Sequence, residues 1–266
     1  MDVTNQQSIE QLLGNAQATG AITNQSMSSL IVGDIGQQIS AGLHIAPDNV
    51  QASELVLVGL LLDDSSSIQY NNNAQNIRDG YNLVLQSLRE STSGDDILIH
   101  TRYLNGTVLY PFVTLDQAAM MDANNYDPTG GTPLYDQIVV MLGTMLAQTQ
   151  CFMDNGQQTR AIFLVCTDGQ NAHSRRHTTP ESVKPIIDDM LSQENYIIAG
   201  YGVDSGDGFD FRDIFARMGI LPQWILTSSN DVSSLRNTWQ LISRSVARVS
   251  QSSNAFSNSA LGGFEL

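Results

Sequence analysis

The chain is short of positive charge. Its 266 residues include 12 Lys and Arg against 27 Asp and Glu, a formal net charge of −15. Such a balance disfavours phosphate backbones and anionic headgroups, so neither nucleic acid nor a membrane is expected as a partner. Metal cations or basic partners suit it better. No Lys or Arg precedes Arg78, so neither a secretory n-region nor an Arg-rich transit peptide is expected. Long apolar runs are missing as well. The longest runs from Leu55 to Leu62, far short of the roughly 20 residues that a membrane helix needs. Cysteine is scarce: Cys151 and Cys166 are too few for a disulfide framework. Two reduced thiols in a cytoplasm are the expectation. What remains is 41% hydrophobic and 15% charged, enough apolar material for a sizeable core and against disorder of the whole chain.

Three regions follow one another. Residues 1–51 are rich in Gln, Asn, Ser and Gly, with short amphipathic pieces. Ser8 and Gln11 read as a capping box ahead of Ile9, Leu12, Leu13 and Ala16. A second helical pattern through Leu30, Ile31, Ile35, Ile39 and Leu43 is broken by Gly33, Gly36 and Gly42. Such an extension either lies against its own domain or serves as a partner-binding arm. Residues 52–250 alternate apolar strands ("ELVLVGLLL", "RAIFLVCT", "YIIAGYGV") with amphipathic helices. "DILIHTRYL" and "TVLYPFV", joined by "NGT", read as an antiparallel hairpin. Strands apolar on both faces and separated by helices predict a doubly wound α/β domain. Its sheet is mostly parallel, with one antiparallel edge strand and helices on both faces. Residues 251–266 form a Ser/Asn-rich tail with a small apolar set, Phe256, Leu261, Phe264 and Leu266, expected to be flexible.

Chemistry gathers where strands end. "LVLVGLLLDDSSS" passes from a buried strand straight into oxygen-bearing side chains, and "TDG" at 167–169 follows a second apolar strand. Between them, the Gly-rich "DPTGGTPLYD" feeds a helix start. Open α/β sheets bind ligands beyond the carboxyl ends of their strands, so these three loops can converge there. An all-oxygen, net-negative cavity suits a hard divalent cation, Mg²⁺ or Mn²⁺ in preference to Zn²⁺. Asp63, Ser65 and Ser67 alternate, so in an extended or turning segment they share one side. Asp64 would point away and reads as an exposed loop acid.

The ordered triple resembles the von Willebrand factor A (vWA) domain family. It comprises Asp63-x-Ser65-x-Ser67 after an apolar strand, Gly130-Gly131-Thr132 before a helix, and Asp168 in "TDG". That family carries a metal-ion-dependent adhesion site (MIDAS). The resemblance spans residues 52–250 and implies that Ser65 and Ser67 ligate the metal through their hydroxyls. Thr132 would bind it directly or through water, with Thr129 as the alternative in the same loop. Asp63 and Asp168 would act largely through waters and hydroxyl hydrogen bonds. It also implies a non-enzymatic adaptor whose partner supplies an Asp or Glu carboxylate to the metal. The expected partner is an ATPase, kinase or phosphatase of the same system. Ser66 stands where the family often has Gly. Tyr70, Asn71, Asn72 and Asn73 replace the aspartates that serve a second cation in integrin β subunits, so one site is expected.

The competing reading is a metal-dependent hydrolase of doubly wound fold. A haloacid-dehalogenase-type phosphatase needs a second Asp where Ser65 stands, and no Gly-x-Ser-x-Gly elbow or Walker loop occurs. His173 and His177 have a zinc-like spacing without a nearby Cys or Glu ligand. The cluster "HSRRH" offers Arg175 and Arg176 either as a positive rim for an acidic partner or as a loop paired with the protein's own acids.

Overall fold

The computed structural model describes residues 8–50, 52, 54–70, 73–90, 96–204, 206, 208–251 and 263–264. Six strands form one sheet in the order β3-β2-β1-β4-β5-β6. They are β1 (Glu54–Leu62), β2 (Ile97–Tyr103), β3 (Val108–Thr114), β4 (Gln158–Thr167), β5 (Tyr196–Asp204) and β6 (Ile225–Ser229). All neighbours are parallel except β2 and β3, whose antiparallel pairing confirms the "NGT" hairpin. Every residue of β1 beyond Glu54 is buried, as a strand covered on both faces must be. Chain direction along the sheet reverses between β1 and β4, which makes the space beyond their carboxyl ends the switch point of the fold.

Nine helices are described: α1 (Ile9–Ala18), α2 (Asn24–Leu30), α3 (Ile35–Ser40), α4 (Ser66–Tyr70), α5 (Ala74–Arg89), α6 (Leu134–Asp154), α7 (Lys184–Ser192), α8 (Phe211–Arg217) and α9 (Val232–Gln251). Helices α5 and α9 pack together on one face, where Gly80 lies flat against the Trp239 ring. On the other face α6 covers β1 and β4, and Gly59 of β1 admits Met141 and Met145 of that helix. No described helix is long and apolar enough to cross a membrane.

The N-terminal extension is built into this fold. Helices α1, α2 and α3 lie over α6, which is buried nearly all round as a result. Ser8 caps α1, accepting from Gln11 N at 3.2 Å. The buried amides of α6 reach the extension: Gln137 Nε2 donates to Gln38 Oε1 at 2.8 Å and Gln148 Nε2 to the Ile45 carbonyl at 3.1 Å. At the other terminus, the flexible tail expected over 251–266 needs correcting at Gly263 and Phe264. Phe264 is buried against Trp224, and its N–H donates to Gln223 O at 3.0 Å. Phe256, Leu261 and Leu266 lie outside the described residues, as do Asn71 and Asn72.

Candidate metal site

Asp63 is the first residue after β1, and its N–H still donates to the Cys166 carbonyl of β4 at 2.9 Å. The chain then turns rather than extends. Ser65 forms an isolated parallel bridge with Gly130, and α4 begins at Ser66. Of the extended or turning segment expected over Asp63, Ser65 and Ser67, the chain takes the turn. Asp63 Oδ1 accepts from Ser65 N at 2.8 Å, an Asx-type closure that an aspartate two residues upstream makes readily. The turn still directs both serines one way, with Ser65 Oγ and Ser67 Oγ 2.8 Å apart.

Asp168, the first residue after β4, accepts from Ser67 Oγ at 2.6 Å through Oδ1. Thr132 arrives from the loop before α6. A methyl group on Gly169 would lie 3.6 Å from Ser67 Oγ and 3.7 Å from Thr132 Oγ1, so both hydroxyls border one space that glycine leaves open. The three loops thus bring together Asp63, Ser65, Ser67, Thr132 and Asp168. Thr129 is exposed, with its N–H turned to Asp127 O.

These residues sit at the sheet edge but within the packed interior, where a purely peripheral loop was expected. Asp63 is 0% exposed, Ser65 2%, Asp168 2% and Thr132 7%. Burial pushes the Asp63 carboxyl up, and hydrogen bonds from Ser65, Thr167 and the Asp168 backbone pull it back. Asp64 is corrected from an exposed acid to a buried one, 1% exposed. It does point away from the serines: Oδ1 accepts from Asn105 N at 2.9 Å. Burial pushes it up to about 7. No Lys or Arg of the described residues lies within ion-pair distance of Asp63 or Asp64.

Supporting residues escaped the sequence reading. Thr167 Oγ1 donates to Asp63 Oδ2 at 2.5 Å, and Tyr126 Oη donates to the Asp63 carbonyl at 2.5 Å. His173 Nδ1 accepts from Thr132 N at 2.9 Å, which fixes the threonine loop. Asp136 takes three backbone N–H groups, from Arg175, Arg176 and His177. Its position in the first turn of α6 was the one available signal. The zinc reading of His173 and His177 gains nothing. Among the described residues no group of three His, Cys, Asp or Glu side chains is arranged around a metal. Of the expected rim, Arg176 pairs with Asp34 at 2.5 Å, while Arg175 is exposed and meets no carboxylate of the described residues.

Neither a family profile nor a curated protein sequence matches the chain. Solved structures do. The pilus adhesin SpaC of Lactobacillus rhamnosus GG matches 76% of this chain and 32% of its own at TM-score 0.54 and 11% identity. Proximal thread matrix protein 1 of the mussel byssus, in a structure titled as having a zinc-occupied MIDAS motif, matches 74% of this chain and 47% of its own. Its TM-score is 0.48 and its identity 18%. The manganese-loaded TRAP protein of Plasmodium vivax matches 71% of this chain and 74% of its own at TM-score 0.42 and 19% identity. The chain thus spans about half the length of the byssus protein and a third of the adhesin. Sheet order, switch point and the likeness to the adhesin define the fold: the chain folds as a vWA domain.

The cytoplasmic location is corrected. The pilus adhesin SpaC, which shares the fold, points away from a cytoplasmic setting. The thiols never bore on the question. Cys166 is buried in β4 and Cys151 half-buried on α6, and burial pushes both thiols up. A thiol kept protonated in a core is inert in any compartment.

Proposed function

We propose that the chain is a protein-binding domain whose contact runs through a divalent cation held by Ser65, Ser67 and Thr132, with Asp63 and Asp168 behind them. The observation that carries this reading is the pair of serine hydroxyls 2.8 Å apart, one of them 2.6 Å from Asp168. Two hydroxyls held side by side next to a carboxylate offer a hard cation neutral oxygen donors from one direction. A buried carboxylate at Asp63 with no Lys or Arg of the described residues within ion-pair distance also fits a cation. The donor chemistry fits Mg²⁺ or Mn²⁺.

When bound, the ion supplies Lewis acidity toward one further anionic oxygen. Hydroxyl ligands leave most of its charge uncancelled, while the carboxylates are held back by hydrogen bonds to Ser65 N, Thr167 Oγ1 and Ser67 Oγ. An Asp or Glu carboxylate of a partner protein completes the set. This is recognition rather than catalysis: Ser65 and Ser67 share their hydroxyl hydrogen bonds with each other and with Asp168. His173 Nδ1 is taken up by the Thr132 backbone. Among the described residues neither serine hydroxyl is hydrogen-bonded to a histidine, and the acceptor of Ser67 is the carboxylate of Asp168, which the metal reading already employs.

Calorimetry with Mn²⁺ tests the reading. One site is expected in the wild type, weakened at least about tenfold in Ser65→Ala with Ser67→Ala. Equal affinity in both proteins would remove the site.

A further inference from the structure

Beside the metal edge lies a groove of about 700 Å³ that the N-terminal extension helps to build. Asp34 and Gln38 stand on one side, Gly106 on another, and Gly131, His173 and Arg175 on the side of the metal loops. Gly131 faces this groove, while its neighbour Thr132 borders the space in front of Ser67. One loop thus separates the two spaces, and a chain leaving the metal continues naturally into the groove.

The groove does not share the protein's net negative charge, because Asp34 and Asp136 are matched there by Arg175 and Arg176. Net charge overall is −15, yet the acids here are already engaged. Asp34 pairs with Arg176, and Asp136 accepts the three backbone N–H groups of 175–177. Arg175 remains exposed, with no carboxylate of the described residues within ion-pair distance. Arg102, 0% exposed, lies behind the wall and donates to the carbonyls of Gln38 and Gly106, at 3.2 Å each. No carboxylate of the described residues is within ion-pair distance of it. A cation buried in low dielectric projects its field further than a solvated one.

We infer that the groove receives the acidic flank of the same partner segment whose carboxylate meets the metal, with a second carboxylate on Arg175. The inference rests on the metal-dependent reading and adds the class of partner: an extended acidic peptide, gripped between the N-terminal extension and the 173–177 loop. Asp34 contributes by holding Arg176 against Gly33, which leaves Arg175 as the free contact.

The probes are a fluorescein-labelled hexaglutamate peptide and N-acetylglutamate methylamide, which offers one carboxylate. Both are titrated into the full chain with Mn²⁺. Hexaglutamate should bind at least about tenfold more tightly than the single carboxylate, and Arg175→Glu should remove about that factor. Mn²⁺ affinity and binding of the single carboxylate should stay at wild-type values, and Arg175→Lys should retain most of the gain. Hexaglutamate no tighter than the single carboxylate, or indifferent to Arg175→Glu, overturns the groove while leaving the metal reading intact. Absence of Mn²⁺ binding in the wild type overturns both.

Discussion

The carboxyl edge of the sheet and the far side of α6 bury polar groups in opposite ways. At the edge, Asp63 is fully enclosed yet accepts from Ser65, Thr167 and Asp168. Behind α6, where the extension closes over the sheet, His100 and Arg102 are equally enclosed with less to satisfy them. His100 Nδ1 meets the Tyr110 carbonyl at 2.8 Å, but its Nε2 has no partner, nor does Nε of Arg102. The edge gathers hydrogen-bonded carboxylates and hydroxyls around an open space, whereas the extension side is arranged for close contact. A Cβ on Gly42 would come within 2.5 Å of Thr144 and 3.0 Å of His100 Nε2. Function and stability should therefore separate by region.

The largest effect is expected at the edge. Asp63→Ala should lower Mn²⁺ affinity about 100-fold, since the hydrogen bonds that orient Ser65 disappear with it. Thermal stability should change much less, because the variant also removes a buried carboxylate that burial disfavours. Calorimetry and a melting curve on the same sample measure both. A variant that binds Mn²⁺ normally, or that unfolds, would merge the two regions. The reverse pattern is expected at Gly143 of α6, where a Cβ would lie 2.8 Å from Leu30 and closer still to Ile39. Gly143→Val should cost about 1–3 kcal/mol by overpacking and leave Mn²⁺ affinity unaltered. Urea unfolding reads the first quantity and metal titration the second.

The same contrast explains what the sequence disclosed. The edge was legible because its chemistry is local. Asp63, Ser65 and Ser67 adjoin one strand, Asp168 ends another, and a parallel sheet must bring strand ends together. Asp64 was misread because its partner, Asn105 N, comes from the β2–β3 turn, distant in sequence. The extension was legible as helices through the Ser8 cap and the spacing of Leu12, Leu13 and Ala16, but its docking was not. A hint lay in α6, whose "IVVMLGTMLAQTQ" is too apolar all round for a helix with one solvent face. Arg102 gave no signal at all. An arginine in an apolar strand reads as an edge residue until the extension is seen to cover it.

A smaller effect tests the extension side through pH. Burial, and secondarily Arg102, push the His100 imidazole from 6.5 down to about 3. Between those values the unfolded chain binds a proton that the folded chain refuses. The contribution of His100 to stability is therefore complete above about pH 6.5 and is lost as pH falls toward 3. At pH 5 the loss is about 2 kcal/mol. His100→Asn keeps a donor for the Tyr110 carbonyl and removes the titration. Its stability should fall less than that of the wild type between pH 7 and 5. Parallel pH profiles in urea unfolding would show that water reaches Nε2.

The smallest effect is expected at the C-terminus, away from both regions. Phe264 packs edge-on against Trp224, with centroids 5.3 Å apart and planes at 67°. Two backbone contacts place it: its N–H donates to Gln223 O, and Arg248 Nη2 donates to the Gly263 carbonyl at 2.6 Å. Gly263 has φ +100, and a Cβ there would lie 2.5 Å from Gln223 Cβ, so both conformation and space require glycine. The ring helps close the apolar end of β4 and β5, beside Ile162 and Ile197. Phe264→Ala should cost about 1 kcal/mol, below the 3–5 kcal/mol of a core Phe→Ala change, because the ring packs on the outside of the sheet and can lift away without opening it. Trp224 is 2% exposed, so losing its ring partner should shift tryptophan emission to longer wavelength, and Gly263→Ala should do the same. Mn²⁺ affinity should match the wild type in both variants. Unchanged emission and melting temperature would show that the Trp224 site does not depend on the chain end. A change in Mn²⁺ affinity would instead couple the C-terminus to the metal edge and dissolve the separation of regions.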